Sequence, residues 1–287
     1  ELDGDRFGQM LDPYGGLNDI RADLVRVLHS LSFVEDPTRI LRAVRFEVEL
    51  GFRIEPQTER LIGNAVELDM PARLTGHRLF RELRALLEAV RAPSGVARLR
   101  GLGMLPYIHS GLAGEGGQGA VARVEAGGEV LEWHALLYRD EAPCRWQVLA
   151  LLLLWEQAPG SLRATLRDWE VRSRDARRLE SDRRRADEVA GAIRSRRIPE
   201  GDDVALFEAL APFGLEGLLA LMAATPDERV RRRISHYLQH LRGTAPALDG
   251  AALKALGVPE GPAIGRWLQD LTHARIRGEA HSADEER

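Results

Sequence analysis

The amino-acid sequence predicts an all-α protein. Apolar residues recur at helical spacing through most of the 287 residues, and glycine and proline residues separate the periodic segments. The sequence contains no βαβ alternation, no dinucleotide-binding glycine fingerprint and no phosphate-binding P-loop. These observations favour a succession of helices without a central sheet.

Each element follows from its local pattern. Residues 7–11 alternate in the manner of a short strand, and residues 12–16 form its turn. The glycine cluster of residues 111–128 predicts a long flexible connection between two helical blocks. Helices are predicted near residues 20–30, 37–50, 56–68, 75–91, 94–101, 145–157, 161–169, 173–196, 203–210, 215–223, 226–242, 248–256 and 262–277.

Charge and cysteine content narrow the class of protein. The formal net charge of −4 argues against a uniformly basic nucleic-acid binder, so any RNA contact must come from local patches. Cys144 is the single cysteine, which excludes an intramolecular disulfide and fits a reducing compartment. The longest apolar run, residues 148–155, is far shorter than the ~20 residues of a membrane helix. We therefore expect a soluble cytoplasmic protein.

An acidic residue and three arginines mark the start of one predicted helix. Asp36 suits the N-cap and Pro37 suits the first helical position, where a missing N–H costs nothing. Arg39, Arg42 and Arg45 then recur every third residue as a drifting cationic stripe. A carboxylate and a guanidinium at one helix start can hydrogen-bond the edge of a nucleobase, and the other arginines suit phosphates. On spacing alone, a solvated capped helix with surface arginines explains the pattern equally well.

The neighbouring motifs favour the first interpretation. They are, in chain order, Asp12-Pro13-Tyr14-Gly15-Gly16, Glu35-Asp36-x-x-Arg39, Leu50-Gly51-Phe52 and Gly257-Val258-Pro259-Glu260-Gly261. This ordered series resembles the bacterial tRNA nucleotidyltransferase and poly(A) polymerase family, the class II enzymes that build or complete the CCA end of tRNA. The resemblance is dense over residues 11–63, looser at 78–83 and 101–105, and returns at 257–265.

The resemblance implies an elongated neck, body and tail that follow the remnant strand of an α/β head. The chain would lack most of that head, which in the family carries a Gly-Gly-x-x-Arg-Asp turn and the metal-binding carboxylates. The implied divisions are the end of the head and the hinge (1–16), the neck (17–110), the flexible connection (111–128), the helical body (129–245) and the RNA-binding tail (246–287).

The resemblance also implies an activity. The RNA 3′-hydroxyl would attack the α-phosphate of ATP or CTP with the help of Mg²⁺, releasing pyrophosphate and adding C, A or both to the tRNA end. Because the metal-binding carboxylates would lie in the missing head, we expect the fragment alone to be inactive. The alternatives are a poly(A) polymerase of the same family and a stand-alone helical RNA-binding module without chemistry.

Roles for individual residues follow from the same resemblance. Asp36 and Arg39 would read the incoming base, Arg42 and Arg45 would support them or hold the triphosphate, and Glu35 would orient Arg39. Asp12, Gly15 and Gly16 match the hinge motif.

Two distal segments are candidate RNA contacts. Arg183, Arg184 and Arg185 form either a rail for RNA phosphates or part of an exposed, ion-paired helix. The glycines Gly257, Gly261 and Gly265 would let backbone N–H groups approach a phosphate, or else they form a tight corner between two helices.

No metal site is predicted elsewhere. Asp3-Gly4-Asp5 has the Asp-x-Asp spacing of a two-metal site, but its central glycine favours a turn. The histidines form no spaced pair suited to a metal.

Overall fold

The computed structural model describes residue 7 and residues 10–286, and over these residues the protein is almost wholly helical, which confirms the all-α prediction. Two-residue strands β1 (Leu24–Val25) and β2 (Arg53–Ile54) are the exceptions. The helices are α1 (Gly16–Arg21), α2 (Ser32–Glu35), α3 (Thr38–Leu50), α4 (Pro56–Glu67), α5 (Gly76–Glu88), α6 (Ala92–Gly101), α7 (Leu105–Ile108), α8 (Glu115–Leu137), α9 (Arg145–Leu153), α10 (Pro159–Asp168), α11 (Ser173–Arg194), α12 (Asp203–Leu210), α13 (Leu215–Ala224), α14 (Glu228–His236), α15 (Gly250–Ala255) and α16 (Pro262–Arg277).

The chain divides into two compact units, Glu1–Glu180 and Ser181–Arg287. Their boundary falls inside α11 and coincides with none of the limits predicted from the sequence. The division into head remnant, neck, body and tail stays a prediction.

The N-terminal segment differs from its sequence prediction. The helix predicted over 20–30 is wrong, because α1 ends at Arg21 and Asp23 adopts a left-handed conformation (φ 53°) that stops it. The strand β1 follows and pairs in parallel with β2. Residues 8 and 9 of the strand predicted over 7–11 lie outside the described residues, and the described residues of that stretch, Phe7 among them, are not in a strand.

The flexible connection predicted over residues 111–128 is also wrong. A 3-10 turn at Ser110–Leu112 leads almost directly into α8, which continues without a break for 23 residues. A Cβ at Gly127 would lie 2.3 Å from a methyl of Leu152, and one at Gly128 would lie 2.8 Å from Cγ of Pro93. These glycines therefore permit close packing of helices rather than flexibility.

Aromatic rings fill the core of the first unit around α5. Phe80 stacks on Trp169 with ring centroids 4.6 Å apart, and Trp146 meets the same ring edge-on at 5.3 Å. All three side chains are buried. The helix α5 also packs against α3.

Ion pairs centred on Arg98 join three helices of the first unit. Arg98 of α6 donates from Nε to Glu47 of α3 and from Nη1 to Glu59 of α4, each at 2.9 Å. Its hydrogen bond is the main reason that the pKa of Glu59 lies below its ordinary value. These bonds tie the C-terminal half of α3 to α4 and α6.

The second unit has its own apolar core. The α13 residues Leu218 and Leu219 are buried together with Val230 and Ile234 of α14. No single helix in the described part of the chain is long and apolar enough to cross a membrane, although the bent pair α12 and α13 meets the length and composition requirements jointly.

Candidate functional site

The start of α3 places Asp36 at the junction of two helices. Asp36 ends α2 in an extended conformation, Pro37 already has helical dihedrals, and α3 begins at Thr38. The Thr38 N–H donates to Asp36 Oδ1 at 3.1 Å, and the Thr38 hydroxyl donates to the same oxygen at 2.6 Å. Asp36 therefore caps the first turn through one of its two carboxylate oxygens.

A residue from another helix reaches the same oxygen. Arg78 of α5 donates from Nη2 to Asp36 Oδ1 at 3.0 Å. In the described part of the chain, the hydrogen bonds to this carboxylate all reach Oδ1, which leaves Oδ2 open as an acceptor. Partial burial raises the pKa of Asp36, but hydrogen bonds from Thr38 and the charge of Arg78 outweigh it, and the pKa lies below its ordinary value.

The Arg39 guanidinium is anchored to the preceding short helix. Its Nη1 donates to the carbonyl oxygen of Ser32 at 3.3 Å and to the Ser32 hydroxyl at 3.0 Å. Glu35 Oε2 lies 3.7 Å from the same nitrogen and 3.5 Å from Nε2 of His29. Since these contacts within the described residues all involve Nη1, the Nε and Nη2 donors remain open. Asp36 and Arg39 thus stand at one helix start, each anchored by one polar edge and open at the other.

A cleft of about 380 Å³ is lined by both Arg39 and Arg42. Arg42 is exposed, and Arg26 and His29 contribute further nitrogen donors to the same lining. Phe46 adds an aromatic wall. Guanidinium groups beside an aromatic surface suit a nucleotide, whose phosphates are anionic and whose base is flat.

The structure does not bring Arg45 to this cleft. Its Nη1 donates to Glu49 Oε2 at 2.8 Å, and its guanidinium lies over the ring of Phe46 at 4.6 Å. Six residues of an α-helix turn through about 600°, so Arg45 points roughly 120° away from Arg39. A role for Arg45 in nucleotide binding stays a prediction.

The predicted hinge residues form a capped turn before α1. Asp12 accepts hydrogen bonds from the N–H of Gly16 at 2.7 Å and of Leu17 at 2.9 Å, one on each carboxylate oxygen. Gly15 has φ 73°, a left-handed conformation that favours glycine. The hydrogen bonds to Asp12 and the left-handed conformation of Gly15 explain why these residue types occur in the turn. Movement at a hinge stays a prediction.

The three consecutive arginines of α11 do not form one row. Arg183 is only 13% exposed, and its Nη1 donates to Asp187 Oδ2 at 2.8 Å. Arg185 donates from Nη1 to Ser181 Oγ at 2.9 Å and to the carbonyl oxygen of Pro212 at 3.4 Å. Arg184 is exposed. Because consecutive helical residues point about 100° apart, these side chains face different surroundings.

The distal glycines form an exposed corner between α15 and α16. Gly257 has φ 92°, and Gly261, which precedes the first residue of α16, has φ 134°. A Cβ at Gly261 or Gly265 would meet nothing within 4 Å, so the backbone there is accessible from outside. The corner requires glycine for conformation at two positions, and RNA contact stays a prediction.

The described residues contain no group of three or more His, Cys, Asp or Glu side chains that could hold a metal ion. Asp3 and Asp5 lie outside the described residues. We assign no step of the reaction to a metal held by these residues.

Sequence reasoning missed the partners that hold the two candidate base-reading residues. Ser32 is a near neighbour of Arg39 in the chain, but its role depends on α2 folding back. Arg78 lies 42 residues from Asp36. Its only signal was the loose resemblance at residues 78–83, which assigns no role to it.

Comparisons with known proteins give a consistent set of relatives. No protein-family model matches the chain. It is 34% identical over its whole length to the A-adding tRNA nucleotidyltransferase of Geobacter sulfurreducens, of which it spans 32%. It resembles the Thermotoga maritima CCA-adding enzyme complexed with tRNA, with a TM-score of 0.78, 25% identity, and coverage of 99% of this chain and 68% of the other. A CCA-adding enzyme with CTP gives a TM-score of 0.76 and 25% identity, with coverage of 99% and 66%. The chain thus spans about a third of its curated relative.

Proposed function

Because this chain belongs to the family of A-adding and CCA-adding tRNA nucleotidyltransferases and spans part of their length, we propose that it carries the nucleobase-selecting site and tRNA-binding helices of such an enzyme. The observation that supports this most directly is the pairing of Asp36 and Arg39 at one helix start. Each side chain is anchored through one edge, and each keeps a polar edge open.

The open edges match the bases that such an enzyme adds. Cytosine and adenine both present an exocyclic amino donor. At the corresponding position, guanine and uracil present a carbonyl acceptor, as thymine does. The open Oδ2 of Asp36 accepts from the amino group, and the open N–H groups of Arg39 donate to the neighbouring ring nitrogen. A carbonyl opposite Asp36 would leave two acceptors facing each other, which disfavours the wrong bases.

We assign the remaining steps from the general chemistry of nucleotidyl transfer. The 3′-hydroxyl of tRNA attacks the α-phosphate of ATP or CTP, and pyrophosphate leaves. Arg39 and Arg42 bind and orient the nucleotide in the cleft that they share, since positioning supplies much of the catalysis in such transfers. Mg²⁺, when bound, would supply charge neutralisation. We expect its carboxylate ligands to lie in a part of the enzyme outside this chain, and we therefore expect the 287-residue chain alone not to transfer nucleotides. We place the reaction in the cytoplasm.

Two other functions remain as alternatives. The relatives include both A-adding and CCA-adding enzymes. The added product is CC, A or CCA, and the alternative within the family is a poly(A) tail. The alternative from another class is an RNA-binding module without chemistry. An RNA-binding module differs from the proposed enzyme in one measurable respect, because it requires no selection among nucleoside triphosphates.

Replacing Arg39 with alanine tests the proposed base selection. In an intact enzyme that carries this chain, we expect kcat/KM for ATP or CTP relative to UTP to fall by about 5- to 150-fold, because a lost donor to a base edge costs about 1–3 kcal/mol. The Kd for tRNA should stay unchanged. Arg60→Ala is a matched control, since Arg60 is exposed and, among the described residues, its guanidinium hydrogen-bonds only to Gln57 on its own helix. Unchanged selection and turnover in Arg39→Ala would show that α3 is only a capped, solvated helix.

Charge reversal at Arg184 tests the proposed tRNA contact of α11. Because Arg184 is exposed, Arg184→Glu should weaken tRNA binding and should lower the log–log salt slope by about one unit. Arg183 is unsuitable for this test, since its side chain is only 13% exposed. The control is Arg232→Glu, at an exposed position of α14 that makes the same change in net charge. Equal affinities for the two variants at both low and high salt would exclude a specific contact at Arg184.

A further inference from the structure

We infer that Arg78 of α5 is a positioning residue for base selection, and that it acts by fixing the carboxylate of Asp36. The inference rests on the proposed function, because it assigns the selection step to the same carboxylate. It adds a residue from a separate helix to the residues that determine nucleotide specificity.

The geometry at Asp36 explains why a third contact is needed. The two bonds from Thr38 both come from one residue on one side of the carboxylate. Both bonds depend on the local turn at the start of α3. The bond from Arg78 Nη2 reaches the same oxygen at 3.0 Å from a different helix, and because Oδ1 and Oδ2 belong to one rigid planar group, holding Oδ1 more firmly also restricts the direction in which Oδ2 points. A selecting acceptor must hold its direction, since hydrogen bonds weaken steeply with misalignment.

The charge of Arg78 supports the same role. A protonated Asp36 would carry an O–H donor and could pair with a carbonyl, so that it would accept uracil or guanine. Burial raises the pKa of the Asp36 carboxyl, but the hydrogen bonds from Thr38 and the charge of Arg78 outweigh that effect, so the pKa lies below its ordinary value. The ionised group is an acceptor only, which is the property that distinguishes amino bases from carbonyl bases.

A purely structural role for Arg78 is poorly supported. The α3 and α5 helices already pack through fully buried apolar residues, among them Leu41, Val44 and Leu83. The Arg78 side chain is 47% exposed and Asp36 is 30% exposed. Exposed ion pairs of this kind contribute little to folding stability because solvent screens them. The contact therefore serves the orientation of Asp36 rather than the attachment of one helix to the other.

The test compares three variants of an intact enzyme that carries this chain. Arg78→Gln removes the positive charge. Arg78→Lys keeps the positive charge but replaces the planar guanidinium donors with an ammonium group, and Arg81→Gln is the control on the same helix. Arg81 is 64% exposed, and within the described part of the chain its one ion pair is with the adjacent Glu82, at 3.6 Å. We expect Arg78→Gln to lower the selectivity for ATP or CTP over UTP by roughly tenfold, mainly through a raised KM for the correct nucleotide. Arg78→Lys should recover part of this loss, and Arg81→Gln should behave as the parent.

The outcomes separate this inference from the proposed function. If Arg78→Gln selects nucleotides as Arg81→Gln does while Arg39→Ala has lost selectivity, the inference about Arg78 is wrong and the proposed function stands. If Arg39→Ala also keeps full selectivity, the proposed function itself fails. A drop in Tm for Arg78→Gln with equal loss of turnover for all nucleotides would show a structural role and overturn the inference.

Discussion

Replacing Trp169 with alanine should lower the free energy of unfolding by about 3–5 kcal/mol, the usual cost of deleting a buried aromatic side chain. Trp169 is 2% exposed, and its ring lies almost parallel to that of Phe80, with an angle of 8° between their planes. Deletion removes the stacked contact and leaves a cavity against α5, which the surrounding helices can fill only in part. Because α5 also carries Arg78, the loosened packing should reach the candidate site as well.

Urea denaturation followed by circular dichroism measures this effect on the 287-residue chain. The matched control is Trp267→Ala on α16, where the indole is 52% exposed and its removal creates no cavity. That variant should stay within about 0.5 kcal/mol of the parent. Since the two tryptophans lie in different compact units, only Trp169→Ala should shift the transition of the first unit. Equal stabilities of the two variants would contradict the packed aromatic cluster.

Substitution of Gly117 by alanine should destabilise the first unit by about 1–3 kcal/mol, as overpacking of a well-filled core usually does. Gly117 is buried in the first turn of α8. A Cβ there would lie 2.4 Å from the carbonyl oxygen of Leu112 and 3.4 Å from a methyl of Leu105. The closest atom belongs to the backbone of a 3-10 turn, so the clash cannot be relieved by rotating a side chain.

The matched control is a glycine-to-alanine substitution that should raise the stability instead of lowering it. Gly191 lies inside α11, and a Cβ at that position would meet nothing within 4 Å. Gly191→Ala should therefore stabilise the protein by about 0.5–1 kcal/mol, because alanine loses less backbone entropy than glycine in a helix. Thermal unfolding of the two variants decides the matter. If both substitutions raise Tm, the glycine-rich segment is not packed as the structure has it, and a flexible connection over 111–128 would be the better description.

The local features of the candidate site could be predicted from the sequence. The position of Asp36 next to Pro37 predicts a helix start, and α3 begins at Thr38, one residue later than expected. The exact limits of α12 and α16 also agree with the periodicity of their apolar residues. These features depend on residues within a few positions of each other, where backbone chemistry and helical spacing decide the outcome.

Other features depend on partners that are distant in the chain. The strand Leu24–Val25 exists because Arg53–Ile54 lies beside it, and two residues alone have no strand pattern that could be recognised. The glycines of α8 predict flexibility by composition, yet Pro93 and Leu152 pack where their side chains would be. The three-residue spacing of Arg39, Arg42 and Arg45 predicts one stripe of positive charge. Because three residues fall short of a full helical turn, Arg45 points away from Arg39 and hydrogen-bonds to Glu49.

The sequence by itself determined that the chain is helical, where the candidate base-reading pair Asp36 and Arg39 stands, and which family it resembles. It did so because helix periodicity, capping and short motifs are encoded by near neighbours. Only the tertiary structure decided which edges of that pair are open, since Ser32 and Arg78 occupy the others. The orientation of a polar side chain depends on the donors that surround it in space, and a residue 42 positions away becomes one of them only when α5 packs against α3.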